Sequence, residues 1–371
     1  MLPLSLYIHY PYCVRKCPYC DFNSYKKDQS SNIDELYLKA LIEDYASLKD
    51  LIYKRNFVSI YLGGGTPSLF EPKYIEKLLN LCADKITSNT EISMEVNPGT
   101  VSLENLKAYK DLGVNRLSIG VQSFSELSLK RLGRIHSAKN AYDAYDLARK
   151  AGFLNINLDI MHGLPNQSID EAMFDLKEVA RLNPEHLSWY ELTIEEDTAF
   201  GRNPPKLPQE DELSEIEENG FSFLEKNGFK RYEVSGFFRK EPCKHNLNYW
   251  YFYDYAGIGA GAHSKFLSED KKTLRRAQTS LPEDFIAGRR SSFYDVDSVD
   301  LPFEFMLNRL RIFNEISFEE FSNTTNCSFD DILPQLKKAC ELKLLEFTET
   351  GYKLTSLGKR MLNDVLYLFL K

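Results

Sequence analysis

Three cysteines lie within eight residues near the start of the chain. Cys13, Cys17 and Cys20 have a Cys-x3-Cys-x2-Cys spacing, whereas the other four cysteines are scattered between residues 82 and 340. This spacing brings three soft thiolates round one point, which suits an iron–sulfur cluster or zinc. A closed zinc site would need a fourth ligand, for which His9 is the candidate. Three cysteines on a four-iron cluster leave one iron open, and that position favours a small molecule carrying an amine and a carboxylate.

Further polar or flexible residues follow apolar runs along the chain. The glycine-rich segment Gly63-Gly64-Gly65-Thr66-Pro67 follows one of these apolar runs, and glycines there let backbone N–H groups approach a ligand. Glu95, Gln122 and Asp159 each come at the end of another. A carboxylate at the end of a buried strand needs a partner, so we interpret these residues as site candidates.

The elements that position these residues alternate regularly. Runs typical of strands cover residues 4–9, 57–62, 91–96, 116–122, 155–161 and 186–193, and helical periodicity covers residues 33–53, 72–85, 103–112, 140–151 and 169–182. This order predicts parallel strands in an α/β fold, a partial (β/α)6 barrel related to the TIM barrel. Ligands of such barrels sit at the carboxyl ends of the strands, where the candidate residues fall.

The chain divides into three predicted regions. Residues 1–235 form the barrel core, residues 236–301 a connection, and residues 302–371 a small winged-helix-like domain with three helices, a hairpin and a last helix. Winged helices often bind DNA, but residues 303–371 carry 9 Lys and Arg against 10 Asp and Glu, so we expect no nucleic-acid partner. A lid over the barrel mouth and a docking surface for a partner both remain open for this domain.

Bulk composition narrows the protein class. The 371 residues are 43% hydrophobic and 27% charged, with a net charge of -8, which is typical of a globular protein and disfavours bulk attraction to nucleic acid. The chain shows no signal-peptide pattern and no run of about 18 apolar residues. We therefore expect a cytoplasmic protein.

Residues 10–22, taken with the Gly-Gly-Gly-Thr-Pro run, resemble the radical S-adenosylmethionine (SAM) family, in which Cys-x3-Cys-x2-Cys is the defining signature. Nearly the whole chain looks like the branch that contains oxygen-independent coproporphyrinogen III oxidase. The resemblance implies a 4Fe-4S cluster on the three cysteines and SAM on the open iron. It assigns the SAM site to eight residues: Tyr7, Gly64, Gly65, Thr66, Glu95, Gln122, Arg134 and Asp159. In this assignment Arg134 binds a carboxylate, and Gln122 and Asp159 bind ribose hydroxyls.

Two features separate the branches of this family. The oxidases carry a fourth cysteine two residues after the third, where this chain has Phe22. The motif His245-Asn246-Leu247-Asn248-Tyr249-Trp250 matches the His-Asn-x-x-Tyr-Trp stretch of HemW-type heme chaperones, which implies His245 as a ligand of heme iron. The resemblance favours a heme chaperone, with an oxidase and a zinc-scaffolded docking protein as alternatives.

The chaperone interpretation implies further partners. Heme would pass to an acceptor protein such as a respiratory hemoprotein, with the chain peripheral at the membrane during delivery. Whether cofactors drive a homodimer, and whether SAM is cleaved, stay open.

Overall fold

The computed structural model describes residues 1–28 and 32–370, and the largest unit within these ranges is a sheet of twelve strands. The strands are β1 (Leu4–Tyr10), β2 (Tyr12–Cys13), β3 (Tyr25–Lys26), β4 (Phe57–Gly64), β5 (Glu91–Val96), β6 (Arg116–Gln122), β7 (Ile156–His162), β8 (His186–Glu191), β9 (Lys230–Arg231), β10 (Gly236–Phe238), β11 (Asp254–Ile258), β12 (His263–Leu267), β13 (Thr273–Ala277), β14 (Tyr294–Asp295), β15 (Ile316–Ser317), β16 (Leu345–Phe347) and β17 (Gly351–Leu354). The α-helices are α1 (Ile33–Ser47), α2 (Pro72–Leu81), α3 (Leu103–Asp111), α4 (Glu126–Leu132), α5 (Ala138–Lys150), α6 (Ile169–Leu182), α7 (Ala199–Arg202), α8 (Glu210–Lys226), α9 (Lys244–Trp250), α10 (Pro282–Ile286), α11 (Leu301–Arg309), α12 (Glu320–Thr325), α13 (Leu333–Glu341), α14 (Ser356–Arg360) and α15 (Leu362–Tyr367).

The core of the sheet is the predicted parallel barrel. Strands β1, β4, β5, β6, β7 and β8 lie side by side in that order, all parallel. Their side chains are largely buried on both faces, as expected where helices cover a parallel sheet. The predicted α/β partial barrel is therefore confirmed.

Individual boundaries follow local chemistry. β6 and α6 coincide with the predicted ranges, and α6 begins at a capping box in which Ser168 and Glu171 bond reciprocally. The predicted helix over residues 33–53 ends at Ser47. Leu48 and Ile52 beyond it remain buried, so the apolar spacing continues through the following turns without an α-helix.

The segment expected to be a connection contributes to the same sheet. β11 pairs parallel with β1 on the side opposite β4, and β12, β13 and β14 extend the sheet with antiparallel pairs. Before β11, α9 packs against the amino ends of the barrel strands, where its residues contact Ser59 of β4 and Glu91 of β5. The amino end of the barrel is thereby closed by α9.

The C-terminal residues form a second apolar core around Phe305, Phe321 and Tyr352, with a three-stranded sheet in the order β15-β17-β16. This agrees with the predicted winged-helix-like arrangement. The domain packs on the barrel through Phe252 against Phe305 and through an ion pair between Arg275 and Glu304. In the described ranges, no helix is long and apolar enough to cross a membrane.

Candidate functional site

The three clustered cysteines line one side of a cavity of about 490 Å³ at the carboxyl ends of the parallel strands. Their loop leaves β2 and returns to β3, and these two short strands pair in parallel. All seven cysteines, which lie within the described ranges, are free. Burial, and then the neighbouring thiols Cys20 and Cys17, raises the pKa of Cys13 to about 11. Binding a metal at this thiol must therefore displace a proton.

His9 supports this loop and is not available as a fourth ligand. Its Nδ1 lies 2.9 Å from the Tyr7 hydroxyl, and its Nε2 lies 2.8 Å from the Asn23 carbonyl oxygen. Because a carbonyl only accepts, Nε2 carries the proton and Nδ1 accepts from Tyr7. Among the described residues, no three His, Cys, Asp or Glu side chains are placed to hold a single metal ion. His9 therefore does not complete a closed zinc site with the three cysteines, and three free thiols beside an open cavity suit a cluster with one open iron.

The glycine run packs backbone to backbone against the start of the cysteine loop. Gly65 N–H donates to the Tyr10 carbonyl at 2.8 Å, and Thr66 N–H donates to the Tyr12 carbonyl at 2.9 Å. Gly64 has a φ of +119°, and a Cβ there would lie 2.6 Å from His9 Cε1. Only glycine meets both conditions without strain.

Two carboxylates line the same cavity. Glu95 accepts from Gly64 N–H and from the Tyr61 hydroxyl, each at 3.0 Å. Burial, and then the charge of Asp159, raises the pKa of Glu95 to about 7. Burial also raises the pKa of Asp159, which is hydrogen-bonded by Ser118. A cationic group entering the cavity would favour the ionised form of both carboxyl groups.

Gln122 and Arg134 complete the wall beside the cysteines. Gln122 has a φ of +69°, which is rare for a residue with a side chain, and its amide oxygen accepts from the Tyr190 hydroxyl at 2.7 Å. The Arg134 guanidinium donates to the Gly120 carbonyl at 2.9 Å and lies 3.6 Å from the Cys17 sulfur. Its Nε is buried without a partner within the described residues. Arg134 also lines the cavity, so its guanidinium is placed to meet a carboxylate there.

His245 lies at the other end of the barrel. Its ring is 3% exposed, stacks on Tyr61 at 4.8 Å between centroids, and meets Tyr249 edge-on at 4.9 Å. Its Nδ1 lies 2.8 Å from the Ser59 hydroxyl, and its Nε2 is buried without a partner in the described ranges. Burial, and then the charge of Arg116, lowers the pKa of His245 to about 3, so the imidazole is neutral.

These observations test His245 as a heme ligand. A metal-binding histidine is neutral, donates a hydrogen bond from one ring nitrogen and offers the lone pair of the other to the metal, and the positions of Nδ1 beside Ser59 and of Nε2 without a partner among the described residues suit these two roles. The space around Nε2, however, has no room for a macrocycle, because His245 does not line the cavity and aromatic rings cover its imidazole. Heme does not fit at His245 while α9 is docked.

Comparison with known proteins places the chain in a family. Residues 7–178 match the model of the radical SAM superfamily, and residues 296–361 match the HemN C-terminal domain. The chain is 45% identical over 372 residues to heme chaperone HemW of Escherichia coli strain K12, covering 99% of this chain and 98% of that protein. It is 43% identical over 377 residues to heme chaperone HemW of Haemophilus influenzae, with the same two coverages.

The chain belongs to the HemW family of heme chaperones.

More distant comparisons agree with this assignment. Heme chaperone HemW of Bacillus subtilis strain 168 is 34% identical over 380 residues, with 99% of both chains covered. The solved structure of coproporphyrinogen III oxidase (HemN) from E. coli, a radical SAM enzyme, superposes with a TM-score of 0.82 over 99% of this chain and 90% of that one. At 23% identity this likeness shows the fold alone. The family membership expected from the sequence is confirmed.

For this member of the HemW family, the structure brings together most of the predicted SAM residues. The lining of the cavity includes the three cysteines and seven of the eight residues: Gly64, Gly65, Thr66, Glu95, Gln122, Arg134 and Asp159. Tyr7 does not line it, because its hydroxyl is turned to His9 and its ring lies beside Tyr61. None of the described residues from 296 onward is among those that line the cavity.

Several lining residues were missed in the sequence. They include Tyr61, Ser118, Ser188 and Tyr190. Alternate residues of a strand face the same side, so Ser118 shares the inward face of Gln122, and Ser188 shares that of Tyr190. This alternation was the signal that could have found Ser118 once Gln122 had been chosen.

Proposed function

We propose that the chain binds heme through His245 and passes it to an acceptor protein. The supporting observation is the state of the imidazole, with Nδ1 held by Ser59 and Nε2 unpartnered among the described residues. An unpaired buried nitrogen costs free energy, which coordination to iron would recover. The similar proteins of Escherichia coli and Haemophilus influenzae, both heme chaperones HemW, agree with this role.

We propose further that Cys13, Cys17 and Cys20 hold a 4Fe-4S cluster and that SAM occupies the cavity beside it. When bound, a cluster of this kind supplies an electron to the sulfonium group of SAM. The residues of the chain would position the cluster and SAM relative to each other. Glu95 ties the glycine run to β5 through Gly64 N–H, and Arg134 lies close to Cys17.

The two proposed sites are separate. Tyr61 lies between them, with its hydroxyl on Glu95 at the cavity and its ring on His245. A macrocycle bound at His245 would therefore lie outside the cavity in which radical chemistry would take place. This separation favours a carrier of heme over an oxidase that must bring its tetrapyrrole to the radical.

Anaerobic heme titration of the cluster-reconstituted protein tests the proposal. We compare the wild type with His245→Ala and with His162→Ala, a matched control that removes another buried histidine in contact with an aromatic ring, Trp189. Stoichiometric binding lost only in His245→Ala supports the chaperone. Unchanged heme uptake in that variant, or consumption of coproporphyrinogen by the reduced protein, contradicts it. Iron and sulfide are measured on the same samples, so that a lost cluster is not mistaken for a lost heme ligand.

The identity of the acceptor belongs to the same proposal. We propose a hemoprotein acceptor, such as a respiratory one, to which the heme-loaded chain docks at the membrane surface. Transfer of heme from the loaded chain to an apo-hemoprotein, followed by absorption spectroscopy, checks this step. Size-exclusion chromatography with and without reconstituted cofactors checks for a cofactor-dependent homodimer.

A further inference from the structure

We propose that α9 is a gate, that heme reaches His245 only after the first turn of α9 leaves the barrel, and that Glu91 holds this gate closed. The inference deepens the proposed function and rests on its heme ligand. It follows from a mismatch in the structure, where a chemically suitable donor atom lies in a place that heme cannot enter.

Glu91 holds the start of α9 by three contacts. It is the first residue of β5 and is 7% exposed. Its carboxylate accepts from Cys243 Sγ at 3.3 Å, from Lys244 N–H at 3.2 Å and from His245 N–H at 3.2 Å. The first N–H groups of a helix have no partner inside the helix, and an acidic group there is also favoured by the helix dipole. A single side chain thus binds three consecutive residues of the gate.

Few other polar contacts keep this turn in place. The Lys244 ammonium donates to the Asn89 carbonyl at 2.6 Å, the Asn246 amide donates to the Tyr232 hydroxyl at 3.1 Å, and His245 is bonded to Ser59. The other end of α9 has separate anchors. The Asn248 amide donates to the Asp254 carbonyl at 2.8 Å, and Arg311 of the C-terminal domain lies over the Trp250 ring at 4.6 Å. The first turn can therefore lift while the last turn stays attached.

The closed arrangement also leaves polar atoms unsatisfied. His245 Nε2 and the Nε of Arg116, whose residue is 4% exposed, are buried without partners within the described residues. Such atoms cost free energy in the folded protein. Opening exposes His245 Nε2 to solvent or to heme iron and removes its part of this cost, which offsets a share of the free energy needed to lift the turn.

The test uses Glu91→Gln, which keeps the shape of the side chain but removes its charge and one acceptor oxygen. If only the open form binds heme, the observed association rate is proportional to the open fraction. We expect an increase of about tenfold in this rate, measured by stopped-flow absorption on the full-length protein. Asp175→Asn is the matched control, because Asp175 is also a buried carboxylate that accepts a backbone N–H, from Phe124, and lies away from α9.

Cys243 supplies an independent readout of opening. Its thiol is 0% exposed while the gate is closed. Alkylation of this cysteine in the heme-free protein, followed by peptide mass spectrometry, should accelerate in Glu91→Gln by the same factor as heme association. Lys244→Ala, which removes only the contact with Asn89, should raise both rates in the same direction by a smaller factor.

The outcomes separate the gate from the proposed function. Unchanged rates in both Glu91→Gln and Lys244→Ala, with heme still lost in His245→Ala, overturn the gate and leave the heme ligand intact. Accelerated alkylation of Cys243 without faster heme association also overturns it. Heme binding that persists in Glu91→Gln/His245→Ala shows instead that the ligand assignment is wrong. A Glu91→Gln variant that loses its urea unfolding transition is replaced in this comparison by Lys244→Ala.

Discussion

Replacing Glu95 with glutamine should change how the stability of the cofactor-free protein depends on pH. Glu95 lies at the cavity, where burial and then the charge of Asp159 raise its pKa to about 7 from an ordinary 4.5. The folded protein therefore binds this proton more tightly than the unfolded chain does. The contribution of Glu95 to the free energy of unfolding therefore falls as pH rises from about 4.5 through about 7, and the difference between the wild type and Glu95→Gln isolates that contribution.

The structure sets the size of this effect. The gap between about 7 and 4.5, at about 1.4 kcal/mol per pH unit, amounts to about 3 kcal/mol. Glutamine has no charge to lose, but its single oxygen can accept from only one of the two donors, Gly64 N–H and the Tyr61 hydroxyl. That lost hydrogen bond costs about 1 kcal/mol at every pH. Glu95→Gln should thus be about 1 kcal/mol less stable than the wild type at pH 4.5 and about 2 kcal/mol more stable at pH 8.

Urea unfolding of the cofactor-free wild type and Glu95→Gln at several pH values between about 4.5 and 8.5 measures this crossing. In an Asp159→Asn background the difference should depend less on pH, because one cause of the raised pKa is gone. If the two stability curves run parallel across this range, the reasoning about the buried carboxyl is wrong.

Three other changes give sharp outcomes. Gly64→Ala should lower the free energy of unfolding by about 2–4 kcal/mol, because it adds a Cβ 2.6 Å from His9 Cε1 at a positive φ. Gly152→Ala, which is also at a positive φ but has nothing within 4 Å of its Cβ, should cost less. Equal urea midpoints for the two variants would contradict the predicted clash. Arg134→Gln should make the reconstituted cluster harder to reduce, since a cation 3.6 Å from Cys17 Sγ is removed, and an unchanged midpoint in a redox titration would show that this contact has no effect. Cys17→Ala should abolish the cluster, measured as bound iron and sulfide. It should leave the heme affinity within about twofold of the wild type, because α9 lies at the opposite end of the barrel from the cysteines. Loss of both cluster and heme binding would show that the two sites depend on each other.

The two ends of the barrel are chemically distinct. The carboxyl end of the barrel collects thiols, glycines and carboxylates in an open cavity, whereas the amino end is closed by a helix that carries the proposed heme ligand. Tyr61 touches both, through Glu95 and His245. Occupancy of the cavity can therefore be tested for an effect on Cys243 alkylation with the same variants.

Much of this organisation could be predicted from the order of the residues in the sequence. The alternation of apolar runs with helical periodicity predicted the parallel barrel, because each β-then-α unit must return the chain to the same end of the sheet. β6 and α6 coincide with their predicted ranges. Motifs that follow consecutive strands must meet at one end, so the cysteines, Gly64 and Glu95 were expected together before any contact was known.

The sequence by itself determined the family, the barrel and the chemical types gathered at its carboxyl end, since these depend on local patterns and on the direction of parallel strands. Tertiary structure alone decided which neighbours those residues have. β11 lies beside β1 although about 250 residues separate them, and no local pattern carries that pairing. The same holds for Tyr7, which faces His9 and not the cavity, and for His245, whose donor atom is enclosed because Glu91 holds α9 against the barrel. Enclosure depends on packing between segments distant in the chain, and this is why the sequence predicted a heme ligand but not the gate in front of it.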